Sequence, residues 1–593
     1  MHRNIRQRVL YLTLFLFCSF FSHLGLKGQT LPPDRRTDWQ LSGLQEMPIS
    51  PILEIDFISS GGIADGKTPN DALIQELLEQ NADHPFVLYF PAGNYFFTQA
   101  IELPSNCILR GQSADASTLQ FALREEDHLL KVQGTPNANP SLLVTNARQG
   151  DTYIRIKEPQ NFQVGDYIKI FAEDSALITS AWAHYSTGQL GQIKKLSKDS
   201  LFLSQPLRRD FLFEEEARIV RFSPKTQVGI EQLQIVRLDT TDSQTSNIFF
   251  DYAANCWLSC VQSRFCNFAH VELKHSLQIA IKGSHFEQAH HYGNGGKAYG
   301  IMLHFATSSS LVYDNSFRRL RHAMILQAGA NGNVLAYNYS SEPYWTEVQL
   351  PLDAAGDLVL HGNYPYANLF EGNVVQNIVI DNSHGINGPF NTFFRNRAEL
   401  YGIFMNQDPA SDKQNFLGNE LPNQGLFLGN YILAGSEHFE FANNIRGQIK
   451  PLGEQQLPDK SLFLLHESHL SAELDHLPPI GPPNALNSYE LPAQKRAQEA
   501  LKTACSKPLL ATTLTDKSHQ TAYYPYAQEN WLSVHRRYPA KPITHLRLYS
   551  LEGKLLQECR GSSLTTESLG QGLYLIQVHH QEEILACLKW QKK

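Results

Sequence analysis

The sequence predicts an all-β protein. Its main part should be a right-handed, single-stranded parallel β-helix, followed by a small β-sandwich-like C-terminal domain. Three observations predict the β-helix: a pattern that recurs about every 23 residues, short apolar runs of strand length without helical periodicity, and turn residues between these runs. A repeat of this kind is typical of a solenoid, in which each coil buries its apolar side chains against the next coil.

The repeat is clearest where one pattern occurs twice, as HGNYPYANLFEGN and then as HGINGPFNTFFRN, 23 residues later. Two weaker copies lie upstream. The closing residues of the four copies are Asn315, Asn338, Asn373 and Asn396, at steps of 23, 35 and 23 residues. We expect these asparagines to stack as a ladder, with each amide bonded to the next. The long step then contains about a dozen extra residues that loop out of the coil.

Residues 50–121 contain a helix signal followed by strands. Asn70 or Asp71 can cap a helix that would close the open end of the solenoid. Its apolar face would consist of Ala72, Leu73, Ile74, Leu77 and Leu78. With the strand-turn FVLYFPAGNYFF, this segment resembles the start of the pectate-lyase-like β-helix superfamily. The resemblance implies the fold and leaves the chemistry open, because that superfamily includes lyases, hydrolases, epimerases and phage tailspikes.

The C-terminal segment resembles a second family. THLRLYSLEGKLLQE, LTTESLGQGLYLIQV and ILACLKWQKK are similar to the sorting domain of the type IX secretion system of Bacteroidetes. The matching features are the turn at Leu551–Leu555, the strand start at Leu569–Tyr574 and a basic end. This resemblance implies the type IX secretion machinery as a partner and export to the cell surface or the medium. It implies nothing about catalysis.

Composition shifts divide the chain. We predict a secretory signal peptide at 1–28, with a positive start and an apolar core, and no further membrane span. The predicted parts are a signal peptide at 1–28, a lead at 29–49, the β-helix at 50–465 with a β-rich insertion at about 140–225, a Pro-rich linker at 466–538 and the sorting domain at 539–593.

Charge and cysteine content exclude some functions. The 593 residues have a net charge of −8, which argues against a nucleic-acid partner. Seven cysteines follow the signal peptide, so at least one is unpaired. Cys256, Cys260 and Cys266 lie close together without a matching second pair. We therefore interpret them as buried core residues rather than zinc ligands.

Strand alternation predicts where the chemistry lies. In GIMLH, AMILQ and DLVLH the last residue should point out of the coil, and the repeat places His384 in the same column. His304, Gln327, His361 and His384 would then stack about 4.8 Å apart. The imidazoles either have a structural role or line a groove in which at least one transfers protons near neutral pH. The inserted segments Glu342–Gly356 and His290–Gly300 would form its walls.

Other polar and aromatic residues surround this column. Arg321 and Arg395 are candidates for holding a uronate carboxylate, and Asp381 for orienting a histidine or binding a cation. The remaining candidates for substrate binding are His322, Tyr344, Trp345, Tyr364 and Tyr366. The segment AWAHYSTGQ of the insertion either overhangs the coil or is only a loop.

The residues fit three functions. Elimination on an acidic, uronate-containing polysaccharide needs a cation and a base, for which Arg321 or Arg395 with His361 or His384 would serve. Hydrolysis needs two opposed carboxyl groups, and Asp357 with Asp381 is the candidate pair. The third function, that of a secreted glycan-binding protein, needs neither a base with a cation nor a pair of carboxyl groups. Ca²⁺ is a candidate cofactor through Asp353, Asp357 and Asp381.

The tail resemblance makes a testable prediction. Deleting residues 539–593 should trap the protein inside the cell envelope, because the address read by the secretion machinery is lost. Fractionation and immunoblotting of cells and medium would measure this. Normal release of the truncated chain would contradict the resemblance.

Overall fold

A computed structural model describes residues 30–45, 53–123, 126–346, 356–453, 457–463, 490–506, 523–528, 531–536, 543–550, 554–565, 569, 572–581 and 583–592. The predicted signal peptide lies outside the described residues. Two compact units divide the chain, residues 1–506 and 507–593. Among the described residues, no helix has the length and apolarity needed to cross a bilayer.

The first unit is a parallel β-helix with three faces, as predicted. The first face is a 12-stranded parallel sheet. Its strands are Leu53–Asp56, Phe86–Phe90, Cys107–Gly111, Gly229–Glu231, Trp257–Ser259, Ala280–Lys282, Leu311–Tyr313, Val334–Ala336, Leu369–Glu371, Thr392–Phe394, Asn415–Leu417 and Phe439–Phe441.

The second and third faces merge where two long strands, Val374–Ile380 and Arg397–Met405, span both. The second face also contains Asp65–Pro69, Gly93–Phe97, Ser117–Phe121, Gln234–Arg237, Gln262–Cys266, His285–Ala289, Ser316–Arg318, Tyr339–Ser341, Glu420–Leu421, Asn443–Ile445 and the antiparallel Gln448–Lys450. The third face also contains Ile101–Glu102, Leu130–Gln133, Ile248–Asp251, Ala269–Lys274, Tyr299–His304, His322–Leu326, Leu358–Leu360 and Asn430–Ile432. One further parallel pair, Lys225–Thr226 with Ala253–Ala254, lies at a turn.

An antiparallel insertion interrupts the coils between residues 135 and 223. Its strands are Thr135–Pro136, Ser141–Leu142, Tyr153–Arg155, Tyr167–Phe171, Gln189–Ser197, Ser200–Leu203 and Arg218–Ser223. It has an apolar core of its own, which includes Ile154, Ile168 and Phe211. Short 3₁₀ helices lie at Pro33–Arg35, Trp39–Leu41, Pro159–Asn161, Ala181–Ala183 and Phe213–Glu215.

The predicted helix spans Asp71–Asn81 and covers the end of the core with Ile74 and Leu78. Asn70 occupies the N-cap position, but its side chain does not cap the helix. It bonds Ile63 instead, through both the backbone N–H and the carbonyl. Asp71 binds the following strand through Thr98 and Gln99. The cap side chains therefore join the helix to the first coils.

The asparagine ladder forms as predicted and extends further. Each Nδ2 donates to the Oδ1 of the next coil, at 3.0 Å for Asn315 to Asn338 and at 2.9 Å for Asn338 to Asn373 and for Asn373 to Asn396. Asn419 and Asn443 continue the series. A second ladder, which the sequence analysis missed, runs through Asn333, Asn368, Asn391 and Gln414.

Terminal segments of the first unit run along the outside of the coil. Trp39 donates from its indole to the Ala367 carbonyl at 2.9 Å. A second helix, Pro492–Gln498, precedes Cys505, which forms a disulfide with Cys260. The interpretation of Cys256, Cys260 and Cys266 as buried residues is confirmed. Cys256 and Cys266 are free thiols, whereas the disulfide of Cys260 was not predicted. Sequence spacing could not reveal a pairing across 245 residues.

The second unit contains two antiparallel sheets. One consists of Tyr523–Gln528, Trp531–Arg536 and Ser563–Thr565; the other consists of Leu555–Arg560, His545–Tyr549, Gly572–His580 and Glu583–Lys592. Its first two strands lie within the segment that composition assigned to the linker.

The ladder makes a stability prediction. Asn373→Ala should lower the free energy of unfolding of the coil by about 3 kcal/mol or more, because the buried amide of Asn338 and the carbonyl of Leu335 lose their partners. Thermal and urea denaturation would measure the loss. The exposed Asn139 provides the control, as Asn139→Ala. Equal stability of the two variants would contradict a supporting role for the ladder.

Candidate functional site

The predicted column lies at the end of three adjacent third-face strands. Leu303 pairs with Leu326, and Leu326 pairs with Leu360. These leucines face the core. The residues that follow them, His304, Gln327 and His361, therefore occupy equivalent outward positions in successive coils.

The prediction that His384 is the fourth member of the column is wrong. Leu360 pairs with Ile380, so Asp381 takes the position beside His361, and its N–H donates to the Leu360 carbonyl at 2.9 Å. The turn after Ile380 is three residues longer than the turn after Leu360, which shifts His384 along it. The His384 ring nevertheless reaches back to within 5.0 Å of the His361 ring, centroid to centroid.

The column lines a cleft of about 630 Å³. Its residues are largely covered rather than open, with exposed fractions of 5% for His304, 7% for Gln327 and 9% for His361. The cleft is lined by His128, Trp182, Gln244, Phe249, Phe268, Glu272, Lys274, Gly295, Gly296, Tyr299, Met302, His304, Phe305, Arg321, Gln327, His361, Ser383 and His384.

His361 and Asp381 form a hydrogen-bonded pair. The His361 Nδ1 to Asp381 Oδ2 distance is 2.6 Å. Burial alone would raise the pKa of Asp381, but the charge and hydrogen bond of His361 outweigh burial, and the net pKa is lowered. An ionised carboxylate only accepts hydrogen bonds, so neutral His361 carries its proton on Nδ1. Its Nε2 is then a bare base in a residue that lines the cleft.

The insertion supplies the partner of His384. Ser180 Oγ lies 3.0 Å from His384 Nδ1. Burial lowers the pKa of His384, and the charge of nearby His361 lowers it further. His384 is therefore a stronger acid, when protonated, than an imidazole in water.

The segment that carries Ser180 is fixed to the coil. Asn363 Oδ1 accepts from the backbone N–H groups of Thr179 and Ser180 at 2.8 and 3.1 Å. Of the two alternatives for AWAHYSTGQ, the structure supports the overhang, since Trp182 contacts the rings of Phe305 and His384 at 5.7 and 5.3 Å. The roles of Ser180 and Trp182 were missed. No local pattern could reveal them, because the position of an inserted loop depends on tertiary contacts.

Arg321 forms part of the cleft beside the inserted segment His290–Gly300. Its Nη1 donates to the carbonyls of Gly293 and Gly295 at 3.1 and 2.6 Å. The guanidinium lies 4.7 Å from the Trp345 ring centroid. Arg321 therefore contacts the described parts of both segments that we predicted to form the walls of the groove, His290–Gly300 and Glu342–Gly356. Residues 347–355, which include Asp353, lie outside the described residues.

His322 lies behind the cleft. Its Nδ1 bonds the Gly356 carbonyl at 2.9 Å, and its ring is 6.0 Å from that of His361. Burial, followed by the charges of Arg321 and His361, lowers its pKa to about 3. His322 is therefore neutral at physiological pH and packs beside His361 without adding charge.

A second polar group lies at the other end of the cleft. Glu272 accepts from His304 Nε2 at 3.0 Å and from Ser246 Oγ at 2.6 Å. Burial would raise its pKa, but the bond from His304 outweighs burial and the pKa is lowered. His128 stacks on Phe249 at 4.0 Å, and burial lowers its pKa.

Four predicted site residues lie elsewhere. Arg395 is on a first-face turn, where it donates to the carbonyls of Leu457 and Asp459. Tyr364 packs beside Tyr366, whose hydroxyl donates to Gly188 of the insertion, so both help to seat it. Tyr344 packs against Tyr292 and Arg319. The repeat register predicted a shared face, but it could not show which segments cover that face.

The proposed carboxylate pair does not form. Asp357 is buried, accepts from Ser340 and from the N–H groups of Gln376 and Asn377, and does not line the cleft. Burial raises its pKa to about 6. The calcium hypothesis gains no support either. Among the described residues, the group whose side chains lie close enough together to hold a metal ion is Glu173, Asp174 and His184, on the insertion.

Comparisons with known proteins agree with the fold. Residues 58–194 match the family described as Rhamnogalacturonase A/epimerase, pectate lyase-like, which supports the resemblance inferred from the opening segment. No curated protein matches the chain.

Several solved structures are similar to the chain. The Pseudomonas phage LKA1 tailspike gp49 is 13% identical, with 66% of this chain and 80% of that chain covered and a TM-score of 0.41. The Pseudomonas phage phi297 tailspike gp61 is 14% identical, with 62% and 70% covered and a TM-score of 0.47. The Azotobacter vinelandii mannuronan C-5 epimerase AlgE4 A-module is 9% identical, with 65% and 91% covered and a TM-score of 0.33.

The contact between insertion and coil makes a prediction. A Cβ at Gly385, which has φ +77°, would lie 1.9 Å from Thr179 Oγ1. Gly385→Ala should therefore displace the insertion from His384. We expect lower stability, increased proteolysis of the insertion and loss of any activity that depends on the cleft. Limited proteolysis and denaturation would measure these effects.

Gly447 provides the matched control. It has φ +88° with open space around its Cβ position, so Gly447→Ala isolates backbone strain of about 1 kcal/mol. Thr179→Ala, which removes the clashing hydroxyl, should partly rescue Gly385→Ala. Identical behaviour of the two glycine variants would show that the contact is unimportant.

Proposed function

We propose that the protein is a secreted polysaccharide lyase that cleaves an acidic, uronate-containing polysaccharide by β-elimination. The observation that carries the proposal is the His361–Asp381 pair, which turns a bare imidazole nitrogen toward a cleft lined by Arg321 and Lys274. A base and a cation are the two groups that this reaction requires. The pectate-lyase-like match over residues 58–194 adds support.

The reaction would proceed as follows. Arg321 holds the uronate carboxylate and stabilises the negative charge that develops when the C5 proton leaves. His361 Nε2 takes that proton, and Asp381 stabilises the resulting imidazolium. The electron pair forms the C4–C5 double bond, the C4–O4 bond breaks, and O4 takes a proton. That proton comes from a water molecule beside His384, whose ring lies 5.0 Å from that of His361 between centroids.

Elimination is favoured over hydrolysis by the carboxylate content of the cleft. Hydrolysis requires two carboxyl groups on opposite sides of the scissile bond. Of the described residues that line the cleft, Glu272 alone carries a carboxylate, and it is bonded to His304 and Ser246. Asp381 lies behind His361 and does not line the cleft. Elimination, which uses an imidazole base and a cation, therefore fits the site better than hydrolysis does.

The proposal includes an extracellular location. Residues 1–28 would direct the chain into the export pathway, and residues 539–593 would address it to the type IX machinery. The polysaccharide is then the principal partner. A cleft lined by Lys274 and Arg321, on a chain of net charge −8, concentrates positive charge where an acidic polymer would bind.

The test combines a substrate panel with variants. Pectic, alginate and glycosaminoglycan polymers are incubated with the protein, and the ultraviolet absorbance of the unsaturated uronide is followed. We expect this absorbance on at least one polymer. His361→Ala should lower kcat by about 10²–10⁴-fold, the usual contribution of a general base. Asp381→Asn should act in the same direction because it removes the charge that stabilises the imidazolium.

His84→Ala, at an exposed histidine, serves as the control. Circular dichroism would confirm that each variant folds. New reducing ends without the absorbance would identify a hydrolase, and binding without either signal would identify a binding protein. Full turnover by His361→Ala would assign the column a structural role.

A further inference from the structure

We infer that the insertion supplies a sugar-binding subsite in which the indole of Trp182 stacks on a sugar ring and Lys274 binds an anionic substituent of that sugar. This inference rests on the proposed function. It adds that the polymer carries a second acidic residue, at a fixed distance from the one whose proton is abstracted.

The first observation is the exposure of Trp182. The side chain is 47% exposed although it lines the cleft and contacts two other rings edge to face. Those contacts hold the indole while nearly half of the residue stays exposed to solvent. An indole that is fixed yet open matches the apolar C–H face of a sugar, and burying it would be favourable.

The second observation is that the segment carrying Trp182 is fixed on both sides. Before Trp182, Thr179 and Ser180 are bonded to Asn363 of the coil. After it, the buried Asp174 carboxylate accepts from the N–H groups of Tyr185 and Thr187 at 2.7 and 3.1 Å. Little conformational entropy is then lost when a ligand binds, because the platform is already in place.

The third observation is the position of Lys274. The Phe305 ring contacts both Lys274 and Trp182. Its centroid lies 5.2 Å from the Lys274 ammonium and 5.7 Å from the centroid of the Trp182 ring. The Lys274 ammonium forms a long ion pair with Asp251 Oδ2, at 3.9 Å. The other oxygen of Asp251 is bonded to His275 Nδ1 at 2.9 Å. An anionic ligand would give Lys274 a closer partner than Asp251 does.

The coil register sets the spacing. Lys274 pairs with His304, which precedes Gln327 and His361 in the column. The ammonium therefore belongs to a coil three steps from the base, roughly 14 Å along the axis at about 4.8 Å per coil. A polymer that lies along the column would place one acidic group at Arg321 and a second at Lys274. The subsite thus selects polymers that carry at least two acidic sugars within the stretch bound by the cleft.

The test is affinity electrophoresis of the full chain in gels that contain polygalacturonate, alginate, chondroitin sulfate or neutral dextran. We expect an acidic polymer to retard the wild type and dextran to have no effect. Trp182→Ala should weaken binding about tenfold, as truncation of a central aromatic contact does. Lys274→Gln should weaken it about threefold or more at low salt, and the difference should shrink as salt screens the charge.

Two further variants complete the design. Phe213→Ala removes a 56% exposed aromatic ring from the same insertion and should bind as the wild type does. Trp182→Phe should retain part of the affinity. Wild-type protein that is retarded by an acidic polymer yet forms no unsaturated uronide would contradict the proposed chemistry and support the subsite, which separates the two failures.

Three outcomes would overturn the inference. In the first, no acidic polymer retards the wild type. In the second, Trp182→Ala and Phe213→Ala bind equally. In the third, Lys274→Gln leaves both affinity and salt dependence unchanged. A folded Trp182→Ala, verified by circular dichroism, ensures that each outcome concerns the subsite rather than stability.

Discussion

The structure depends on the hydrogen bonding of buried amides between coils. Asn373, for example, accepts from the backbone N–H and the Nδ2 of Asn338 in the preceding coil and donates to Asn396 in the following coil. A buried amide without partners is costly, so a coil shifted by one residue would lose several bonds at once. The ladders therefore fix the register of the coils between Asn315 and Asn443. That register brings outward residues far apart in sequence, such as His304 and His361, into one column.

Local pattern predicted the repeat, and the repeat predicted most of the coil. It failed where a turn changed length, because the HG of the repeat recurs at His384 whereas the strand pairing places Asp381 beside His361. It also failed for Arg395, whose partners are carbonyls of a segment about 60 residues further along the chain. Strand pairing follows from alternation and turns. The packing of inserted and terminal segments over a coil depends on long-range contacts that leave no periodic signal.

Outside the core, the third face repeats one electrostatic device. An imidazole nitrogen is bonded to a carboxylate in His275–Asp251, His304–Glu272 and His361–Asp381. Each hydrogen bond fixes the orientation of the ring, and in the last two pairs the histidine lowers the pKa of the buried carboxylate, Glu272 or Asp381. In His361 this arrangement lies beside Arg321 and His384. In the proposed function, His361 is the member of this series that uses its second nitrogen as a base.

The division between coil and insertion explains how such a site can diversify. Coil residues at the ladder positions are constrained on both sides by the neighbouring coils, since a shift of register breaks the ladders. The insertion contacts the cleft through a short segment held by Asn363 and seated by Tyr366. Residues between these anchors, Trp182 among them, can change without altering the register. In the proposed function, the groups for proton transfer and the cations Arg321 and Lys274 belong to the coil, whereas Trp182 lies where the sequence is free to vary.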